Sequence, residues 1–225
     1  MSEELLTRLD RDGFATTGRL LSDEDCAALI ATWQEPAQFR SRITMARHGF
    51  GQGEYRYFAN PLPDRVTSLR ESWYAQLAPA ANRWAETLGL DQQFEATHAA
   101  FRARCHANEQ RRPTPLLLRY TQGDYNRLHQ DLYGTVYFPF QLVILLSQPT
   151  KDFDGGEFVL TERLARMQTR VDVVPLQKGD GVIFATRERP VPSARGSSRA
   201  EFRHGVSRIR GGERFTLGVV FHDAA

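Results

Sequence analysis

Lysine, cysteine and long apolar runs are all scarce in this sequence of 225 residues. Its longest apolar run, Leu142 to Leu146, falls far short of the ~18 residues that a membrane-spanning helix needs. The first residues are acidic and lack the apolar stretch of a secretion signal. The sequence therefore predicts a soluble, cytoplasmic protein with no membrane partner.

The two cysteines, Cys26 and Cys105, lie far apart, and neither belongs to a Cys-x-x-Cys motif. Two thiols at this spacing do not form a disulfide framework. We interpret both as small buried or surface thiols in a reducing compartment.

An excess of either charge is also missing. The 29 basic residues nearly balance the 27 acidic ones, and only Lys151 and Lys178 among the basic residues are lysines. A chain this balanced lacks the basic excess that drives electrostatic binding to nucleic acid. We therefore expect a small-molecule or peptide substrate and no nucleic-acid partner, and the oligomeric state stays open.

Helical patterns dominate the first part of the chain, residues 1–112. Ser22–Asp25 resembles a capping box that opens a helix over Cys26–Trp33. A longer amphipathic helix is predicted from Asp64 to Leu88, and Gly89 is placed to cap it. Residues 113–225 form the second part, and the two parts are expected to make one structural domain.

Short β-rich runs separated by turn residues fill residues 113–225. Eight of them are predicted strands: Pro115–Tyr120, Tyr125–Asp131, Phe140–Ser147, Gly156–Leu160, Val171–Leu176, Gly181–Ala185, Ala200–Ile209 and Arg214–His222. Consecutive strands without intervening helices predict a β-sandwich or jelly roll. Thr186–Arg199 is interpreted as a loop insertion.

Five side chains in residues 113–225 suggest a metal site with a carboxylate bound beside it. His129 and Asp131 are two residues apart, so they share one face of a strand, and His204 lies in a later strand. Two imidazoles and one carboxylate on one face of a metal suit non-haem Fe(II) that activates O2 beside a bidentate co-substrate. Arg214 and Thr216 share a strand face, where a guanidinium and a hydroxyl can bind a buried carboxylate.

The motifs of residues 115–223 resemble those of the Fe(II)/2-oxoglutarate-dependent dioxygenases, within them the prolyl-4-hydroxylase-like branch, and among these an uncharacterised bacterial group. The similarity rests on Leu118–Tyr125 with His129 and Asp131, Asp154-Gly-Gly-Glu157, Lys178-Gly-Asp180 with Val182–Phe184, His204-Gly-Val206, and Arg214. This resemblance implies a double-stranded β-helix (a jelly roll, cupin-like), mainly β with flanking α, on which the N-terminal helices pack.

The resemblance also implies roles for individual residues. Its metal and catalytic residues would be His129, Asp131 and His204, and its 2-oxoglutarate contacts would be Arg214, Thr216 and Tyr120. One departure concerns the strand around Ile144, where that branch often has a tyrosine. The lost hydroxyl contact would then come from Gln141 or Thr216.

The activity that the resemblance implies is the hydroxylation of a C–H bond with release of succinate and CO2. The substrate would be peptidyl proline, an amino acid or a small metabolite. Fe(II), 2-oxoglutarate and O2 would be required, with ascorbate as reductant. Asp131 argues against halogenation, because many related halogenases keep that position small to seat chloride.

Two alternatives stay open. An AlkB-like oxidative demethylase of nucleic acid shares the metal triad, but its pattern carries a second arginine six residues after the first, where this chain has Val220. Four nearby basic residues are interpreted as a solvated surface: Arg102, Arg104, Arg111 and Arg112. The other alternative is a non-catalytic β-barrel that binds a metal or a carboxylate.

The segment Arg40–Phe58 mixes glycines, arginines and aromatic residues, which favours a mobile loop. We predict that it forms a lid over the metal site and offers His48, Phe50, Tyr55 and Arg56 to a substrate. The alternative is a surface loop or β-hairpin far from the site. Four aromatic residues after the His129–Asp131 pair either line the substrate pocket or fill the core: Tyr133, Tyr137, Phe138 and Phe140.

Overall fold

Two antiparallel sheets face each other in the computed structural model, which describes residues 2–194 and 196–225. The strands are β1 (Phe14–Arg19), β2 (Phe39–Thr44), β3 (Gly51–Gln52), β4 (Glu54–Phe58), β5 (Leu116–Thr121), β6 (Tyr125–His129), β7 (Phe140–Leu145), β8 (Phe153–Gly155), β9 (Phe158–Arg163), β10 (Arg170–Val174), β11 (Asp180–Ala185), β12 (Glu188–Ser193), β13 (Gly196–Val206) and β14 (Ile209–Val220).

The larger sheet has the order β1-β11-β7-β14-β5-β4-β2, with β8 paired to β14. The smaller sheet has the order β10-β9-β13-β6-β3, with β12 paired to β13. Because β13 and β14 follow each other but lie in different sheets, the chain crosses from one layer to the other there. The described residues are mainly β with flanking helices, as the sequence predicts.

Four α-helices accompany the sheets in the described part of the chain: α1 (Glu3–Asp12), α2 (Asp23–Ala31), α3 (Asp64–Thr87) and α4 (His98–Ala107). The capping box predicted at Ser22 is present. The Ser22 hydroxyl accepts from the Asp25 backbone N–H, and the Asp25 carboxylate accepts from the Ser22 backbone N–H. α3 matches its predicted bounds, and Gly89 follows it in the left-handed region with φ 63°. None of these helices combines the length and hydropathy that crossing a bilayer requires.

The helices cover the outer face of the larger sheet. Trp84 of α3 packs edge-on against Phe140, with ring centroids 4.4 Å apart, and Tyr74 lies 4.7 Å from Phe138. The six residues of β7 are all buried because helices cover one face and the smaller sheet covers the other. Alternate residues of β7 therefore point between the sheets, where the site described below lies.

All eight predicted strands are confirmed, with ends that shift by a few residues. Two loop predictions are wrong. Arg40–Phe58 contains β2, β3 and β4, and β4 pairs with β5 inside the larger sheet. Thr186–Arg199 contains β12 and the start of β13, which form a hairpin. In both segments the backbone hydrogen bonds that a loop would give to water are made between strands.

Candidate metal centre

The three residues predicted to bind metal lie together between the sheets. His129 is the last residue of β6, and its Cα is paired directly with that of His204 on β13. Asp131 follows β6 and reaches both imidazoles, with its Oδ1 3.5 Å from His129 Nε2 and its Oδ2 3.3 Å from His204 Nε2. One ligand atom from each residue lies within 4.8 Å of the others. The strand pairing therefore places two imidazoles and one carboxylate around one point.

Hydrogen bonds orient two of these side chains. His129 Nδ1 lies 2.7 Å from the carbonyl oxygen of Arg127. Because a carbonyl can only accept, Nδ1 carries the proton and Nε2 keeps a lone pair directed toward the other two residues. The Tyr133 hydroxyl donates to Asp131 Oδ1 over 2.6 Å, which leaves Oδ2 as the freer oxygen.

Asp131 and His204 have the protonation states that a divalent metal requires. Burial on its own would raise the pKa of Asp131, but the nearby imidazoles of His129 and His204 and the Tyr133 hydroxyl together lower it well below its usual range. Burial, with His129 close by, lowers the pKa of His204. Asp131 is therefore a carboxylate and His204 a neutral imidazole near neutral pH, so neither must first lose a proton to bind a metal.

An unpaired guanidinium lies deeper in the same cavity. Arg214 is 1% exposed and donates to the Thr216 hydroxyl, and its Cζ lies 5.8 Å from the centroid of the Tyr120 ring. Burial lowers the pKa of Arg214 to about 10. Among the described residues no carboxylate forms an ion pair with Arg214, and its Nε has no hydrogen-bond partner. Since a buried charge is costly unless it is paired, this side chain is suited to an anionic ligand.

Glycine makes room for that guanidinium. Gly156, in the left-handed region with φ 63°, follows β8, where a Cβ would lie 2.9 Å from Arg214 Cδ and 2.3 Å from Ile209 Cδ1. A larger residue would displace the arginine. The Asp154-Gly-Gly-Glu157 motif thus has a local steric reason.

The metal triad and the arginine line one cavity of about 430 Å³. The buried atoms His204 Nδ1, Gln141 Nε2 and Arg214 Nε, which have no hydrogen-bond partner in the described residues, belong to residues that line it. Two imidazoles and one carboxylate fit Fe(II) with positions left open, and the guanidinium fits the carboxylate of a co-substrate bound beside it. The residues therefore fit the groups that the motifs imply.

Of the other residues predicted near the site, some line the cavity and others do not. Gly49, Phe50 and Tyr55 line the cavity, so the hairpin of Arg40–Phe58 lies beside the site and not far from it. Arg56 turns away and stacks on Trp33, 4.0 Å from its ring centroid. Of the four aromatic residues after Asp131, Tyr133 lines the cavity, Phe138 and Phe140 belong to the core under the helices, and Tyr137 lies elsewhere on the surface.

The predicted basic cluster is largely neutralised. Arg102 pairs with Asp223, Arg104 with Glu95, and Arg111 with Glu109. The pair of Arg111 and Glu109 is exposed, as a solvated surface predicts, whereas Arg102 reaches the buried Asp223. Cys26 and Cys105 are both free and buried.

Sequence reasoning missed one feature of the site. The hydrogen bond from the Tyr133 hydroxyl to Asp131 joins a predicted metal ligand to a residue for which the sequence leaves open a place in the pocket wall or in the core. Tyr57 of β4 packs edge-on against Tyr133, with ring centroids 6.0 Å apart. The spacing of Asp131 and Tyr133 was the available signal, but the turn after β6 was not predictable from it.

Comparisons with known proteins agree with this geometry. The model of a family named Oxygenase-NA, described as an oxygenase catalysing oxidative methylation of damaged DNA, matches residues 53–224. An uncharacterized protein of Mycobacterium tuberculosis is 45% identical over 168 residues, which are 75% of this chain and 72% of that protein.

Solved structures share the fold at low identity. A Pseudomonas putida prolyl-4-hydroxylase has a TM-score of 0.58 at 19% identity, covering 99% of this chain and 98% of its own. A Trichoplax adhaerens prolyl hydroxylase in complex with a hypoxia inducible factor peptide has a TM-score of 0.61 at 11% identity, covering 97% and 87%. A 2OG-Fe(II) oxygenase family oxidoreductase of Burkholderia pseudomallei has a TM-score of 0.53 at 18% identity, covering 99% and 92%. The predicted double-stranded β-helix is confirmed.

Proposed function

Because the chain belongs to the Oxygenase-NA family, we propose that it is an Fe(II)- and 2-oxoglutarate-dependent dioxygenase that hydroxylates a substrate C–H bond and releases succinate and CO2. One observation carries the proposal: the convergence of His129, Asp131 and His204 in a cavity that also holds the unpaired, buried Arg214. A metal ligand set alone suits many ions, and a buried arginine alone suits many anions. Their combination in one cavity suits a metal with a carboxylate co-substrate.

The triad residues hold the metal in this proposal. His129 binds through Nε2, because its Nδ1 proton is donated to Arg127, and Asp131 binds through the oxygen that Tyr133 leaves free. His204 Nε2 would be the third ligand atom. Fe(II) held there would supply the activation of O2 for oxidation of 2-oxoglutarate to succinate and CO2 and for hydroxylation of the C–H bond, with ascorbate as an external reductant.

The inner end of the cavity holds the co-substrate. Arg214 presents a planar fork of donors to the distal carboxylate of 2-oxoglutarate, and Thr216, bonded to Arg214, fixes the fork. Tyr120, buried beside the guanidinium, and Gln141, with an unpartnered amide nitrogen, offer further donors. Gln141 thus supplies a polar group on the strand where the prolyl-4-hydroxylase-like branch often has a tyrosine.

Apolar side chains keep this part of the cavity dry. Val143, Phe158 and Val206 line it from three different strands. In a dry pocket the attraction between Arg214 and a carboxylate is stronger than in water, and reactive species are shielded from solvent.

Succinate release tests the proposal. The full-length protein is supplied with Fe(II), ascorbate, 2-oxoglutarate and O2, and succinate is measured, because many enzymes of this type show some release without substrate. We expect release by the native protein and none by the His129→Ala or His204→Ala variants. Arg210→Gln, at an exposed arginine paired with Asp154, is the control and should keep the activity. Equal release by the triad variants would refute the metal assignment, and binding of metal and 2-oxoglutarate without any turnover would favour a non-catalytic barrel.

The substrate candidates are peptidyl proline, an amino acid and another small metabolite.

A second function, oxidative demethylation of nucleic acid, is favoured by the family description, which names damaged DNA. Against it, the position where AlkB-like enzymes carry a second arginine is the buried Val220, and three arginines of the basic cluster are ion-paired. A gel shift with single-stranded DNA at low salt distinguishes the two: salt-sensitive binding supports nucleic acid, and no binding removes it.

Two further proposals concern the whole chain. The buried free thiols of Cys26 and Cys105 support a reducing, cytoplasmic location. Residues 1–112 and 113–225 fold as one unit, which is supported by the pairing of β1 with β11 and of β4 with β5 across that boundary.

A further inference from the structure

Large apolar side chains are exposed at the mouth of the metal cavity. Phe50, Leu128 and Leu132 are 47%, 44% and 37% exposed, and all three line the cavity. The other large apolar side chains exposed in the described residues, Met167, Val171 and Val173, lie away from the cavity. Exposed apolar groups gathered at the edge of a pocket mark a binding surface.

Two backbone hydrogen bonds and a stacked imidazole orient the ring of Phe50. Its backbone N–H donates to Met45, and its carbonyl oxygen accepts from Arg127 N–H over 2.9 Å. His48 stacks on the ring, with centroids 5.3 Å apart and planes 21° apart. The next residue, Gly51, pairs with Asn126 of β6. An aromatic face that is exposed and yet held by paired strands is preorganised to receive a flat partner.

A positive charge without an ion-pair partner among the described residues lies on the same cavity. Arg127 lines the same cavity, and no described carboxylate forms an ion pair with its guanidinium. Arginines elsewhere in the smaller sheet are paired: Arg163 and Arg203 both reach Glu201. The charge of Arg127 is therefore available to a group that enters the cavity.

We propose that the substrate carries a planar ring that stacks on Phe50 between Leu128 and Leu132, and an anionic group that pairs with Arg127. The proposal rests on the proposed function, because it places the reacting carbon beside the triad. It adds the recognition chemistry of the outer half of the cavity, whereas Arg214 and its neighbours serve the inner half. A nucleotide and an aromatic carboxylic acid share this chemistry, so the test distinguishes these two sources.

Binding of small probes to the full-length protein tests the inference without metal or turnover, so its outcome is separate from that of the succinate experiment. Adenosine 5′-monophosphate and indole-3-carboxylate supply a ring with an anion, and adenosine supplies the ring alone. N-acetylprolinamide supplies a compact, non-planar ring. Each is titrated by calorimetry against the native protein and the variants.

We expect both anionic ring probes to bind, and the tighter of the two identifies the source. Phe50→Ala should weaken their binding about tenfold, and Phe50→Trp should restore it, because an aromatic face is retained. Arg127→Gln should weaken the anionic probes about fivefold and leave adenosine unchanged. Val171→Ala, at an exposed apolar residue of β10 outside the cavity, is the control and should change nothing.

Three results would overturn the inference. The first is that no ring probe binds saturably to the native protein. The second is that Phe50→Ala binds the ring probes as tightly as the native protein does. The third is that N-acetylprolinamide binds more tightly than either anionic ring, which would assign the mouth to a prolyl substrate.

Discussion

Tyr133 and Asp131 show how one hydrogen bond at the scale of single residues selects which atom meets the metal. The Tyr133 hydroxyl occupies Asp131 Oδ1, so Oδ2, which faces His204, is the oxygen left for an ion. Hydrogen bonds of this kind orient ligating carboxylates, and their loss typically weakens metal binding about 10-fold to 100-fold. Tyr133 is therefore a positioning residue.

We expect Tyr133→Phe to weaken binding of Mn(II), used as a stable substitute for Fe(II), by about tenfold. The ring still packs against Tyr57, so the fold should remain intact. Electron paramagnetic resonance of free Mn(II) measures the affinity, and unfolding by urea checks stability. Tyr137→Phe, at a tyrosine outside the cavity, is the control. Unchanged affinity in Tyr133→Phe would show that Asp131 needs no such support.

Arg214 allows a second prediction at this scale. Arg214→Lys keeps the positive charge but replaces the planar fork with a single ammonium group, so a carboxylate loses one of two parallel bonds. We expect the KM for 2-oxoglutarate to rise at least tenfold, while the affinity for Mn(II) changes little. Arg210→Lys, at an exposed site, should leave both unchanged. If the KM for 2-oxoglutarate stays constant in Arg214→Lys, the co-substrate carboxylate binds elsewhere.

The residue scale is where sequence reasoning succeeded most. His129, Asp131 and His204 are brought together as expected: antiparallel pairing places His129 opposite His204, and Asp131, two residues past the end of β6, reaches both. The bond from Tyr133 was not foreseen, since Tyr133 lies in irregular chain between β6 and β7, where no periodicity relates spacing to direction.

Sequence reasoning failed at the scale of elements in the hairpin of β2 and β4. Glycines and arginines among the aromatic residues mask the strand alternation there, and this mixture favours a mobile loop. In the structure those arginines have partners that only tertiary packing supplies: Arg56 stacks on Trp33, Arg40 stacks on Tyr57, and Arg42 pairs with Glu54. Gly51 also has a tertiary reason, which is the close approach of β3 to β6.

Gly51 provides a test of that close approach. Its φ is 141°, and a Cβ there would lie 2.3 Å from the carbonyl oxygen of Tyr125. We expect Gly51→Ala to lower the free energy of unfolding by about 2–4 kcal/mol, since backbone must move and the residue is strained. Gly49→Ala, where φ is 72° but nothing lies within 4 Å of a Cβ, should cost about 1 kcal/mol. Urea unfolding of both variants measures the difference, and equal losses would mean that β3 has room to yield.

Within Arg40–Phe58, we restrict the predicted lid to residues 45–53, which lie between β2 and β4. β2 and β4 are anchored in the larger sheet, whereas this segment joins the smaller sheet through the two residues of β3 and the carbonyl of Phe50. We expect its amides to exchange hydrogen more quickly than those of β7 in the free protein and to gain protection when Mn(II) and 2-oxoglutarate are bound together with a ring probe. The amides of β7, buried on both faces, should stay protected throughout. If the exchange rates are the same with and without the three ligands, the segment is not a lid.

At the scale of the whole molecule, the helix layer and the sheets are joined by a buried polar cluster at the C-terminus. Arg70 of α3 donates to Asp223 over 2.7 Å and to the carbonyl oxygens of Val220 and Phe221. His98 of α4 lies within 2.9 Å of the same Phe221 carbonyl, so its Nε2 carries a proton and donates. The layers are therefore held together by groups whose charges depend on pH as well as by apolar packing.

His98 makes the stability of the molecule depend on pH. Burial, followed by the charges of Arg70 and Arg102, lowers the pKa of His98 to about 3, although Asp223 opposes this. In the unfolded chain the same histidine titrates near 6.5, so between these values the unfolded state binds a proton that the folded state does not. The contribution of His98 to stability is therefore complete above about pH 6.5 and falls as the pH drops below it, by about 2–3 kcal/mol at pH 4.5 for this one group.

Urea unfolding at pH 7 and pH 4.5 measures this loss of stability. His98→Gln retains an N–H donor but cannot gain charge, so the loss between the two pH values should be smaller by about that amount. His48→Gln, at an exposed histidine, should leave it unchanged. If His98→Gln loses as much stability as the native protein, the acid sensitivity comes from other groups, and His98 is already charged in the folded state.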